Sequence, residues 1–142
     1  MMDEKTFWKL SWSWGIIMTL IGKLAFMILG ALGYKAKRNL YGYYIEIGEN
    51  WGGAGMGPYC ICNKNPRQDT LNHEFGHAVQ NCYFGPFQIL ISIASGLRYQ
   101  YREYLVREKG KKYSDLPPYD SAWYEGMATQ VGNQYWEELH NK

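Results

Sequence analysis

Residues 11–34, SWSWGIIMTLIGKLAFMILGALGY, carry one formal charge, Lys23. No other feature constrains the fold as tightly. A stretch this apolar leaves water for a core or for lipid, and a helix satisfies its backbone in either place. Three readings are open. The segment is long enough to span a bilayer, although a mid-span Lys costs roughly 2.5–3.5 kcal/mol on insertion scales. It can instead be an interfacial or packed helix. Gly15, Thr19, Gly22, Gly30 and Gly33 fall near one stripe at helical spacing, and that stripe would admit a neighbour closely or face water. The third reading is a core helix. A cleaved signal peptide fits poorly, because the leader MMDEKTFWK sets Asp3 and Glu4 against Lys5 and Lys9 and no small-x-small site follows.

The chain has 142 residues, enough for one main domain. We divide it into a hydrophobic N-terminal helix, 1–34, and a domain over 35–142. Thirteen Tyr and six Trp permit a core dense in rings or an interfacial surface. Fifteen Lys and Arg against thirteen Asp and Glu leave no basic field, so a nucleic-acid partner is not expected. Three Cys is an odd count. Cys60 and Cys62 are too close for an ordinary bridge, and on a strand they share a face, which reads as buried thiols.

Beyond residue 35 the pattern is mixed α+β. LYGYYIEI (40–47) reads as a strand. Five Gly within positions 48–57 mark a loop or irregular strand that something approaches closely, and no phosphate-loop pattern can be read there. PYCIC (58–62) is extended. A helix capped by Asp69 or Thr70 runs through LNHEFGHAVQNCYF to Gly85-Pro86. A second helix covers 87–107, and a basic, Pro-terminated linker covers 108–118. A last helix covers 119–140, with Asp120 or Ser121 as its cap.

The sharpest chemical signal is His73-Glu74-Phe75-Gly76-His77. Residues i and i+4 lie one turn apart on one helix face, so the two imidazoles can converge on one Zn²⁺. Glu74 on the adjacent flank can take a proton from a zinc-activated water without being a ligand. Gly76 costs about 1 kcal/mol of helix propensity against Ala, which close approach by another backbone or by substrate would explain. Catalytic zinc takes three protein ligands, and His140, the only other His, lies near the end of the chain. Glu125, in the aromatic context AWYEGMATQ, needs a partner if buried, and a metal supplies one; the alternative is a surface Glu beside a Gly kink.

HEFGH followed by Glu125 on a later helix resembles the zincin metallopeptidases, in the branch that uses Glu as third ligand. In that branch the Glu commonly opens an E-x-x-[AS]-D stretch. Here the stretch reads Glu125-Gly126-Met127-Ala128-Thr129, with Thr129 in place of the Asp that orients a ligand histidine. The resemblance implies a minimal zincin-like fold, with a small sheet with an edge strand, an active-site helix and a late Glu-bearing helix. It implies zinc held by His73, His77 and Glu125, and hydrolysis of peptide bonds by a metal-activated water with Glu74 as base. Extended peptide or protein substrate would pair along the edge strand, for which Trp51, Gly52, Gly53 and Gly55 stand at the right place in chain order. Tyr119, Tyr124 and His140 are the candidates for stabilising an oxyanion.

Membrane lipid is the further candidate partner, through 1–34 and through Lys109, Lys111 and Lys112. Because Lys35, Lys37 and Arg38 follow the apolar segment, the expected localisation is membrane-associated with the catalytic part cytoplasmic, or cytoplasmic outright. The reading from another class is a non-catalytic, zinc-stabilised, membrane-associated binding module. An intramembrane protease is disfavoured, because HEFGH sits in the polar sequence DTLNHEFGHAVQN.

Overall fold

The computed structural model describes residues Met1–Lys142. The apolar segment is not one helix. Asp3 caps α1, Glu4–Ser11, by accepting the Thr6 amide at 2.8 Å. After a turn at 12–15, α2 runs over Ile16–Ala31, and the two helices are bent by 91°. At 1.5 Å per residue α2 is about 24 Å long, short of the roughly 30 Å hydrocarbon core. No single helix is long and apolar enough to cross a membrane. Of the small-residue stripe, Gly15, Thr19 and Gly22 face the protein. A Cβ at Gly22 would overlap the Met56 carbonyl, and one at Gly57 would stand 2.7 Å from Thr19 Oγ1. Gly30 and Gly33 meet nothing.

The architecture is α+β. Strands β1 (Lys37–Asn39), β2 (Gly42–Glu46), β3 (Gly53–Met56) and β4 (Tyr59–Cys62) form one sheet in the order β1-β2-β4-β3. β1 and β2 make an antiparallel hairpin, β2 pairs parallel to β4, and β3 returns antiparallel along β4 as an edge strand. The expected strand at 40–47 is thus β2 alone, because Leu40-Tyr41 is a two-residue turn. Leu40 takes φ +53° there, a conformation that no Gly or Asn announces. Part of the Gly-rich stretch does form a strand.

Helix α3, Gln68–Phe84, is buried on nearly every side, as expected of a central helix. Its N-cap is Arg67, without a side-chain cap; Asp69 lies inside the first turn. Gly85 ends it at φ +56°, and α4 follows over Gln88–Arg107. The final helix α5 spans Trp123–His140, preceded by a 3₁₀ turn at Tyr119–Ser121, so its N-cap is Ala122 and neither Asp120 nor Ser121.

The core is dense in rings. Phe7 of α1 is fully buried and stacks on Phe75 of α3 at 5.4 Å between ring centroids. Phe75 meets Tyr135 of α5 edge-on at 5.3 Å. The Tyr135 hydroxyl accepts the Met2 amide at 3.0 Å, so the first helix shares this core. Cys60 and Cys62 are buried against Leu71, Cys82 is buried beside Ser11, and all three are free thiols.

Candidate metal centre

Two helices assemble the site. α3 and α5 run antiparallel, with Asn72, Gly76 and Gln80 opposite Gly132, Ala128 and Tyr124 in four-residue steps. A Cβ at Gly76 would overlap the Ala128 carbonyl, and one at Gly132 would overlap that of Asn72. Gly76 is therefore there for backbone approach, and the second glycine lies one turn away on the opposing helix. Polar ties fix the register. Asn72 Nδ2 donates to Asn133 Oδ1 at 3.1 Å, and Gln80 Nε2 donates to the Tyr124 carbonyl at 2.7 Å.

This register brings His73, His77 and Glu125 together. His73 Nε2 and His77 Nε2 lie 3.2 Å apart, and each lies 3.1 Å from Glu125 Oε2. The three residues form a group close enough to hold a metal ion. A tetrahedral centre with ligands at about 2.0–2.1 Å has donor atoms roughly 3.3–3.4 Å apart, so the donor triangle fits one ion. The other ring nitrogens point to oxygen partners: His73 Nδ1 to Thr129 Oγ1 at 2.8 Å, and His77 Nδ1 to Gln80 Oε1 at 2.7 Å. With Nδ1–H donating to each partner, both Nε2 lone pairs would be free for a metal; without one, a ring that is protonated, or protonated at Nε2, donates to Glu125 instead. Thr129 thus reaches His73 from the position where the resembled branch has Asp.

Glu125 is completely buried. Burial by itself raises its pKa. Hydrogen bonds with His73 and His77 and one from Ser95 Oγ override that, holding the carboxyl well below the usual carboxylate range. The group is an anion here, and an anion without solvent needs cationic or donor partners.

Glu74 is nearly buried beside the group. A methyl at Gly53 would stand 2.9 Å from Glu74 Oε1, and one at Gly55 would stand 3.0 Å from Oε2. These two glycines of β3 make room for the carboxylate, a nearer reason for them than substrate approach. The outer edge of β3 pairs with no strand.

The site opens into a groove with two arms. One, of about 470 Å³, runs between α2 and α4 and is lined by Met18, Met56, Ser92, Ser95, Gly96 and Gln100. The other, of about 460 Å³, is charged, with Arg67, Asp69, Arg102, Glu103 and Asp120. Trp51, Gly53, His73, Glu74, Tyr99 and Tyr119 line both. Gly52 lines the charged arm and Gly55 the other.

Of the three oxyanion candidates, one is at the site. Tyr119 has its ring 6.0 Å from that of His73, and burial pushes its phenol up to about 12, so it carries a proton to donate at neutral pH. Arg98 and Arg102 sit over its face at 5.1 and 5.6 Å from the centroid. Tyr124 lines neither arm of the groove. His140 lies fifteen residues beyond Glu125 on α5, about 22 Å along the axis, stacked on Trp136 with Nδ1 donating to its carbonyl.

Sequence reasoning missed Gln80 and Ser95. Gln80 had a signal, since i+3 from His77 is a neighbouring position on the helix. Ser95 had none, because only the fold brings α4 over Glu125. Comparison with protein-family models, curated proteins and solved structures finds no match for this chain.

Proposed function

We propose that this protein is a zinc-dependent peptidase of zincin type, acting on extended peptide or protein substrate. The supporting observation is the convergence of His73 Nε2, His77 Nε2 and Glu125 Oε2 in a groove that also holds Glu74 beside the edge strand β3. His73, His77 and Glu125 would hold the zinc, and bound there it supplies a Lewis acid and lowers the pKa of water.

The remaining work falls to the chain. Thr129 and Gln80 fix the histidine rings and leave their Nε2 lone pairs free. Glu74, the one carboxylate that lines both arms of the groove, takes the proton from water and passes it to the leaving amine. β3 offers main-chain donors and acceptors to an extended backbone. Tyr119, held protonated, donates to the oxygen on which charge develops.

Wild type and Glu74→Gln are incubated with a peptide library, and zinc per chain is measured in parallel. The variant keeps close to one zinc and loses hydrolysis about 10²–10⁴-fold. A wild type that holds one zinc and cleaves nothing would leave the binding-module reading in place.

A further inference from the structure

We propose that the outward faces of α2 and α4 form one docking surface, by which the protein lies on an anionic lipid bilayer without spanning it. On α2, Ile17, Leu20, Leu24 and Ile28 are exposed at spacings of three, four and four residues. On α4, Leu90, Ile93, Leu97 and Tyr101 repeat the same spacing, and each is more than half exposed. Residues so spaced lie on one face of a helix. Monomeric soluble proteins rarely leave contiguous apolar surface of this kind to water.

The starts of the two helices meet at one corner. α2 and α4 both begin there, with Trp14 packed on Gly85 and its indole N–H donated to the Tyr83 carbonyl at 3.1 Å. Trp12, Trp14, Tyr83 and Phe87 are all exposed at this corner. Amphipathic rings favour the headgroup level of a bilayer.

Charge selects the occupant. Between Glu4 and Glu46 there is no Asp or Glu, but there are six Lys or Arg. Two of these have acidic partners, Lys37 with Glu46 and Arg38 with Glu4. Lys5, Lys9, Lys23 and Lys35 have none and remain exposed. Lys23 sits on the flank of α2, 5.8 Å from the Tyr59 ring, where its long stem lets the ammonium reach a headgroup. Anionic headgroups complement this segment. A second copy of the chain docked on the same face would bring the two basic segments together, since a twofold interface apposes like with like.

The full chain is mixed with vesicles of phosphatidylcholine plus phosphatidylglycerol, and separately with phosphatidylcholine alone, and floated on a density gradient. Protein floats with the anionic vesicles, less with the neutral ones, and less as salt rises. Leu24→Glu and Leu97→Glu each weaken binding about tenfold or more. Both positions are exposed, so circular dichroism and zinc content stay those of wild type. Failure of wild type to float, or undiminished flotation of both variants, overturns the proposal. So does a dimer in light scattering that either variant dissociates, because the face then belongs to a second copy. Vesicle binding is read without peptide hydrolysis, so it stands or falls apart from the peptidase reading.

Discussion

At the residue scale the His73, His77 and Glu125 group depends on neighbours outside it. Thr129 and Gln80 occupy Nδ1 of His73 and of His77, the ring nitrogens that point away from Glu125. Removing such a partner typically costs 10–100-fold in metal affinity. Thr129→Val and Gln80→Ala are each expected to weaken zinc binding by that range in a competition titration, and Thr129→Asp to preserve it. Glu125→Ala is expected to be worse than either, because it removes a donor and leaves two imidazoles facing a cavity. Glu138→Ala, whose carboxylate accepts only from Gln134 at the surface, is the control and should change little. If the Glu138 variant loses zinc as readily as the Glu125 variant, the donor assignment is wrong. Gly53→Ala presses on the Glu74 carboxylate and is expected to lower hydrolysis while leaving zinc content intact.

The pairing of α3 with α5 is the element on which everything else rests. Gly76 and Gly132 let the two backbones meet, and their contact sets the distance from Glu125 to the histidines. Gly76→Ala and Gly132→Ala should each destabilise the fold by about 1–3 kcal/mol through overpacking, seen as a lower denaturation midpoint. They should also loosen the metal group, seen as weaker zinc binding at temperatures where the variants remain folded. Unchanged stability in both would mean the helices are not packed as described. Much of this element was legible in the sequence. HEFGH fixed one helix face, the propensity cost of Gly76 pointed to close approach, and Glu125 in an aromatic stretch pointed to a buried carboxylate in need of partners. Helix starts were less legible, because α3 and α5 begin at Arg67 and Ala122 without side-chain caps while better capping residues stand nearby. The β1–β2 hairpin was missed for a similar reason, since its turn places Leu at positive φ.

For the whole molecule, the N-terminal segment was the hardest part to read, because composition alone allows a span, an interfacial helix or a core helix. The bend after Ser11 divides the work: α1 buries Phe7 in the common core, and α2 turns Met18, Thr19 and Gly22 inward and Leu20, Leu24 and Ile28 outward. That choice follows from what β3 and Asn81 present to α2, which periodicity does not carry. The buried contacts of α1 give the fold an alkaline limit. Burial pushes the Cys82 thiol up to about 11, with the Ser11 hydroxyl partly opposing it, and pushes Tyr135 up to about 12. A raised folded pKa means stability is full below the unfolded value and is lost as pH climbs toward the folded one, here from about pH 8.5 to 11 for the thiol. The wild-type urea midpoint should fall across that window, and Cys82→Ser should fall less steeply. The same slope in both would remove Cys82 as the cause. Anomalous diffraction at the zinc edge, on crystals grown with zinc, tests whether α3 and α5 together make one metal centre. One peak per chain is expected, about 2.0–2.2 Å from His73 Nε2, His77 Nε2 and a Glu125 carboxylate oxygen. No peak there, or a peak at Cys60 and Cys62 with Glu125 turned away from the histidines, would contradict it.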